Sequence, residues 1–345
     1  MMTDTRVIVV GPMLGGHAGH VTFVGEALAS RLATRGYPTV LTSRRLQRAA
    51  RFADIATTLI RHSGNVDVQI LQVYGGLSFV VEDVASALGA MFGHKIIMHL
   101  HGGAMPAFMA RHPAWSRRVL NRAAAIVVPS TFLRTALAPF RTDVRVIPNA
   151  IDISAYPYRH RAEVAPRLFW MRTFHDVYNP ELAVRAFARV RRAYPEATLV
   201  MAGQDKGTLV RTQRYAARLR VDDRIRFAGY LDSAQKIREA GAADIFLNTN
   251  RIDNTPVSVI EACALGLPVV ATDVGGIPDL LTDNENALLV PDDDDEAMAA
   301  AILRLLRTPD LASQLSLQGR ALADRCSWER TTPQWERLLH EVVNA

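Results

Sequence analysis

The chain has 345 residues, 49% of them hydrophobic and 21% charged; that is too apolar for disorder and long enough for two domains, since single cores stop growing near ~250–300 residues. Its 40 basic and 34 acidic side chains leave a formal charge of +6, and all the basic ones except Lys95, Lys206 and Lys236 are arginine. Two cysteines, Cys263 and Cys326, exclude a disulfide framework and a cysteine zinc site, no apolar run approaches the ~18–20 residues of a membrane span, and the start MMTDTRVIVVGP lacks the pattern expected of a signal peptide.

Short β-rich runs alternate with longer amphipathic stretches, the pattern of a parallel α/β sheet. Strands are predicted at Arg6–Val10, Thr39–Thr42, Val68–Val73, Lys95–His99, Ala125–Val128 and Val144–Ile147, with helices between them such as Thr22–Arg35 and Ser130–Ala138. Pro148, Pro157 and Pro166, with the turn formers Asn149 and Asp152, then mark a linker. The pattern restarts with strands at Arg167–Met171, Thr198–Ala202, Ile225–Ala228, Ile245–Asn248, Pro268–Thr272 and Ala287–Val290. Helices are expected there at Pro180–Ala193, Ser233–Ala240, Val257–Leu265 and Ile277–Leu281. The expectation is an α/β protein of two Rossmann-like domains facing across a cleft, residues 1–152 and 153–327. A last helix, 328–345, is expected to return to the first domain. Ligands of such sheets bind beyond the carboxyl ends of the strands.

Three stretches carry chemistry. The first βα turn holds Gly11, Gly15, Gly16, His17, Gly19 and His20, where glycine lets backbone approach a ligand. It fits neither the dinucleotide fingerprint nor a phosphate loop ending in Gly-Lys-Ser/Thr. His99 and His101 share one side of a strand, but no third metal ligand of suitable spacing stands out. His101, beside Gly102 and Gly103 at the sheet edge, is better placed to hydrogen-bond a substrate, and His99 reads as structural. The most specific stretch runs from Asp253 to Asp279. Thr255 and Pro256 suit a helix N-cap and first position, which would turn the amides near Val257 and Ser258 toward an anion such as a diphosphate. Glu261, about one turn on, suits the paired hydroxyls of a ribose, and Gly275-Gly276 makes a second sharp turn.

That stretch resembles the retaining GT-B glycosyltransferases of family 4, whose signature has two acidic residues separated by seven, followed by EA-x-A-x-G-x-PVVAT-x-x-GG-x-P. Asp253 and Glu261 occupy the two acidic positions, with aspartate where glutamate is usual. The resemblance extends through the N-terminal glycine loop, His101-Gly102, residues 146–152, Ala202-Gly203, Gly229-Tyr230 and 326–329. It implies that Gly15 and Gly16 line the acceptor side near the donor diphosphate and that His101 contacts the transferred sugar. Arg172 would neutralise the diphosphate, Asp253 hold sugar hydroxyls and Glu261 the ribose; backbone at Tyr230 and Leu231 would meet the base, and Gly276 would lie beneath the donor. The lysine usual a few residues after the arginine is absent from the stretch 172–181; Arg251 or Lys206 could replace it.

Two charged segments remain. The acidic run Asp292–Glu296 reads as the start of a helix Glu296–Leu306, where acids complement the amide end, in preference to an Asp-x-Asp metal site. Residues 105–122 mix Arg111, His112, Arg117, Arg118 and Arg122 with Phe108 and Trp115, so the segment either docks on anionic lipid or stands as a solvated helix with a few buried anchors. No nucleic-acid-binding motif appears. The resemblance therefore implies a retaining, metal-independent transferase with no cofactor, moving a sugar from a nucleotide-sugar to a glycan or lipid-linked acceptor. A cytoplasmic place is expected, peripheral to the inner membrane face if the lipid reading holds. The other readings are a nucleotide-sugar-binding pseudo-enzyme and a sugar-nucleotide epimerase of the same architecture.

Overall fold

The computed structural model describes residues 4–17 and 24–345, so Gly19, His20 and the start of the helix predicted at Thr22 lie outside the described residues. The chain forms two compact units, Met1–Ala150 with Trp328–Ala345, and Ile151–Ser327.

The first unit runs β1 (Val7–Val10), α1 (Val24–Thr34), β2 (Thr39–Leu41), α2 (Arg48–Arg61), β3 (Val68–Val73), α3 (Phe79–Met91), β4 (Lys95–Leu100), α4 (Met105–Arg111), α5 (Pro113–Leu120), β5 (Ala125–Val128), α6 (Thr131–Leu137) and β6 (Val144–Val146). The second runs β7 (Arg167–Met171), α7 (Pro180–Ala193), β8 (Thr198–Ala202), α8 (Leu209–Arg218), β9 (Ile225–Gly229), α9 (Ser233–Ala242), β10 (Ile245–Asn248), α10 (Val257–Ala264), β11 (Val269–Thr272), α11 (Ile277–Leu280), β12 (Leu288–Val290), α12 (Asp295–Arg307) and α13 (Pro309–Arg325). The last helix, α14 (Trp328–Asn344), belongs to the first unit.

Each unit holds one parallel six-stranded sheet, ordered β2-β1-β3-β4-β5-β6 and β12-β11-β10-β7-β8-β9. Strands this apolar must be covered on both faces, and the period of two sorts them. Ile8 and Val10 join Ile55, Leu59 and Phe79 on one side, whereas Val7 and Val9 join Leu28, Leu32, Trp335 and Leu339 on the other. That second layer explains why α14 returns: each such side chain taken from water contributes about 1.5–3 kcal/mol. In both sheets the strand order reverses at one point, between β1 and β3 and between β7 and β10. Chain leaving the carboxyl ends of those strands diverges there and opens a crevice.

The segment 105–122 is two helices, not one. Pro113 opens α5, and His112 before it takes φ −128°, ψ 57°, because a proline ring excludes the helical conformation for its predecessor. The acidic run behaves as its helix-start reading expects: Asp294 accepts the amide of Ala297 at 2.8 Å and Asp295 opens α12. Arg185 and Arg189 of α7 add ion pairs to Asp293 and Asp295.

Candidate functional site

In the second unit the reversal between β7 and β10 gathers the charged residues. Arg172 follows β7, and Asn250 and Asp253 follow β10. The Arg172 guanidinium pairs with the Asp253 carboxylate and lies over the Tyr178 ring at 4.2 Å from its centroid. Asn250 Nδ2 donates to the same carboxylate at 2.6 Å, and the Asn254 amide donates to its other oxygen at 2.7 Å. Both groups are largely buried, at 17% and 14% side-chain exposure, so this pair sits where a charge-assisted contact is strong. Tyr178 carries no signal of its own in the sequence. Its ring holds the guanidinium within the stretch that lacks the usual lysine.

The helix after Asp253 is shifted from its expected start. Pro256, not Thr255, is the N-cap of α10, with ψ 114°. Val257 and Ser258 open it, as predicted, and the buried Ser258 hydroxyl has no partner. Arg172 Nε, Asn248 Nδ2 and Asn250 Oδ1 are likewise buried and unpartnered. Buried polar atoms are nearly always satisfied, and these four exceptions lie in β10, just after β7 and β10, and at the start of α10.

Glu261 sits one turn along α10. Its Oε1 accepts from the Tyr156 hydroxyl at 2.7 Å and from Lys236 Nζ at 2.5 Å. Burial first, and then the Glu261 charge, raise the Tyr156 hydroxyl far above its ordinary value and keep it a donor. Lys236 comes from α9, whose start is fixed by an Asp232–Gln235 capping box. Sequence reasoning misses both Tyr156 and Lys236, although Lys236 is one of only three lysines in the chain. Tyr230 and Leu231 lie between Gly229, the end of β9, and that cap, both half-buried.

Gly276 is close-packed for a definite reason. Its amide donates to the Asp253 carbonyl at 2.9 Å, and a Cβ there would meet the Asn254 carbonyl at 2.4 Å. The glycine pair thus shapes the loop that carries Asp253. The two expected stand-ins for lysine go elsewhere: Arg251 points to Asp292 and Asp293, at 3.7 and 3.4 Å, and Lys206 is exposed.

In the first unit His101 follows β4, buried, with Nε2 2.7 Å from Gln72 Oε1 and its ring stacked on Tyr74 at 5.1 Å. With Gln72 as acceptor the neutral ring carries its proton on Nε2 and offers Nδ1 as an acceptor. His99 is packed between His101 and Trp335, with neither ring nitrogen partnered. Burial pushes His101 down to about 3, and burial with the neighbouring His101 drives His99 well below its ordinary value. Depressed bases stabilise the fold fully above their unfolded value near 6.5 and lose that advantage as pH falls toward the folded one. Stability is therefore expected to drop below about pH 6.5, by up to ~1.4 kcal/mol per pH unit for each ring. Urea midpoints at pH 7 and pH 5 should fall less in His101→Gln than in the parent; equal falls would contradict the assignment.

The glycine loop is only partly open. The Gly15 amide donates to Glu26 in the first turn of α1, at 3.1 and 3.0 Å to its two oxygens, while Gly16 has open space around it. A carboxylate of the chain itself thus takes the amide that the sequence offered to a ligand. Along 105–122 the cations are also partly spent. Arg118 and Arg122 pair with Asp83, which also accepts from Trp115 Nε1 at 2.7 Å. Among the described residues no group of three or more His, Cys, Asp or Glu could hold a metal ion, and no helix is long and apolar enough to cross a membrane.

Comparison with known proteins places these two units. Residues 5–155 match the model of Glycosyltransferase Family 4, and residues 161–322 match that of Glycosyl transferases group 1. The chain is similar to a D-inositol 3-phosphate glycosyltransferase of Saccharomonospora viridis, 32% identical over 174 residues, 48% of this chain and 40% of that protein. It is also similar to a phosphatidyl-myo-inositol mannosyltransferase of Mycobacterium leprae, 25% identical over 237 residues, 67% of this chain and 62% of that one. The matched stretches thus span about half the length of these relatives. In fold it resembles sucrose-phosphate synthase from Thermosynechococcus elongatus, with a TM-score of 0.83 at 17% identity over 98% and 99% of the two chains. Anabaena HepE in complex with UDP gives 0.78 at 16% identity over 98% and 100%.

Proposed function

Since the chain belongs to the family 4-type glycosyltransferases of GT-B fold, we propose that it transfers a sugar from a nucleotide-sugar to a hydroxyl of a phosphorylated or lipid-linked acceptor, with retention at the anomeric carbon. The carrying observation is the cluster at the β7/β10 reversal, where Arg172, Asp253, the start of α10 and four unpartnered buried atoms lie. A departing diphosphate would take Arg172 and the α10 amides, so charge neutralisation falls to protein groups in place of a metal ion. Glu261, held through one oxygen by Tyr156 and Lys236, keeps its other oxygen for ribose hydroxyls. Asp253 exchanges Arg172 for sugar hydroxyls as the guanidinium turns to phosphate. No carboxylate is assigned as a nucleophile, so the acceptor attacks from the face the nucleotide leaves. The acceptor class is suggested by the relatives' names, which specify an inositol phosphate and a phosphatidylinositol. Peripheral contact with anionic lipid is supported by a groove of about 820 Å³ lined by Leu77, Val80, Phe108, Arg111 and Trp115.

A panel of UDP, GDP and ADP tests the donor half. One nucleotide at about a hundred times its Kd should stabilise the fold by ~2.7 kcal/mol and raise the melting temperature by several degrees. Glu261→Ala should abolish most of that shift, and Lys236→Ala should weaken it. A panel in which no nucleotide shifts the parent defeats the reading.

A further inference from the structure

A second pocket, of about 750 Å³, lies wholly in the first unit at the carboxyl end of β2. Ser43, Arg44 and Arg45 line it from the β2–α2 connection, and Asp54 and Thr58 line it from α2. It adjoins the glycine loop: His17 Nε2 lies 2.7 Å from the Arg44 carbonyl, and the Met13 amide donates to the Ser43 carbonyl at 3.0 Å. This is enough room for a small polyol bearing a phosphate.

Its charge is locally dense. Some arginines elsewhere are neutralised by a carboxylate, as Arg118, Arg122, Arg172, Arg185, Arg189 and Arg251 are, but among the described residues no carboxylate does so here. Arg44, Arg45, Arg48 and Arg51 crowd into eight residues with Asp54 as the nearest acid in sequence. None of the four has an ion-pair partner among the described residues; Arg51 donates only to the Leu46 carbonyl, at 3.4 Å. Burial, with Arg48 alongside, holds the Arg51 guanidinium below the usual arginine range. The helix they open adds to the field, for α2 has no acid in its first turn and no side-chain cap at Gln47. Ser43, buried at φ 30°, holds a strained turn immediately before Arg44 and Arg45. Planar guanidinium groups bind the oxygens of a phosphate through two parallel donors.

We propose that this pocket is the subsite for a phosphate group of the acceptor, gripped by Arg44 and Arg45, with Asp54 and Thr58 available to the acceptor's hydroxyls. The inference rests on the transferase reading for its meaning, but its binding test does not. Glycerol 3-phosphate and vesicles of phosphatidylglycerol, against phosphatidylcholine vesicles, are titrated into the full chain. The comparison uses an Arg44→Gln/Arg45→Gln double variant and a charge-matched Arg214→Gln/Arg307→Gln variant of the other unit. Glycerol 3-phosphate should bind the parent and the charge-matched variant saturably and bind the double variant at least about tenfold more weakly. If phosphatidylglycerol vesicles also bind, and glycerol 3-phosphate displaces them, the phosphate is that of a lipid headgroup; if they do not, it is that of a free monoester. Equal binding of glycerol 3-phosphate by the two variants, or none by the parent in the millimolar range, overturns the proposal. UDP, GDP and ADP shifts are read on the same samples. No phosphate binding by the parent, with its nucleotide shift intact, sinks only the subsite. Phosphate binding with no nucleotide shift sinks the transferase reading and leaves the subsite standing.

Discussion

Arg172→Ala is expected to lower turnover about 10²–10³-fold, the size seen when one preorganised donor to a developing negative charge is removed. The loss is large because no second cation covers the position. The usual lysine is missing, and Arg251 is turned to Asp292 and Asp293. The substitution also strands Asp253, which keeps only Asn250 and the Asn254 amide as partners. Release of nucleoside diphosphate from whichever nucleotide-sugar stabilises the protein gives the measurement. Arg172→Lys should recover part of the rate, because charge returns without the planar fork that spans Asp253 and Tyr178. Tyr178→Phe should cost little, since the ring face and not the hydroxyl meets the guanidinium; Tyr178→Ala should cost more. Parental turnover in Arg172→Ala would remove Arg172 from the mechanism.

Much of this arrangement is legible in the sequence. Strands at Val68–Val73, Ala125–Val128, Arg167–Met171, Thr198–Ala202 and Ile245–Asn248 stand where predicted, because buried parallel strands are dense runs of Val, Ile, Leu and Met between turn formers. Helices α2, α8 and α13 carry no such mark. Helices α2 and α8 are polar on much of their surface and bury only a narrow stripe, such as Ile55 and Leu59 in α2. Within the site, Arg172, Asp253 and Glu261 stand out because each lies in a dense motif. Their immediate partners do not, because Tyr156 reaches Glu261 across 105 residues and Lys236 across 25, and no local spacing encodes such a contact. The one-residue error at Thr255 has a local origin: Pro256 takes extended ψ, so the cap position falls on the proline and the helix begins at Val257. The Arg44–Arg51 cluster is silent because in an arginine-rich chain its composition is ordinary. What distinguishes it is that two of its unpaired arginines, Arg44 and Arg45, line one pocket, which only the fold reveals.

Gly203→Ala is expected to do the most structural damage of any single methyl added near the site. Gly203 follows β8 and adopts φ 147°, a region closed to residues with a Cβ. A methyl there would stand 1.8 Å from the Arg172 carbonyl oxygen and 2.6 Å from its carbonyl carbon, and backbone cannot swing aside as a side chain can. The contact is enforced from both sides, since the Arg172 amide donates to Ala202 at 3.0 Å and the Gly203 amide to Gly229 at 2.7 Å. Relief requires breaking one of those bonds or displacing Arg172. The combined strain and lost hydrogen bonding put the cost at roughly 3–5 kcal/mol, a large part of the ~5–15 kcal/mol that a domain holds in reserve. Urea unfolding of the purified variant measures it. The same methyl pushes on the backbone that carries the guanidinium, so whatever fraction remains folded should also lose turnover relative to the parent. Gly16→Ala is the contrast: a Cβ at Gly16 meets nothing within 4 Å, and its stability should stay near the parent's. A Gly203→Ala protein as stable and active as the parent would mean that the β7–β8 edge gives way at little cost, and that Arg172 is not held in place by its own backbone.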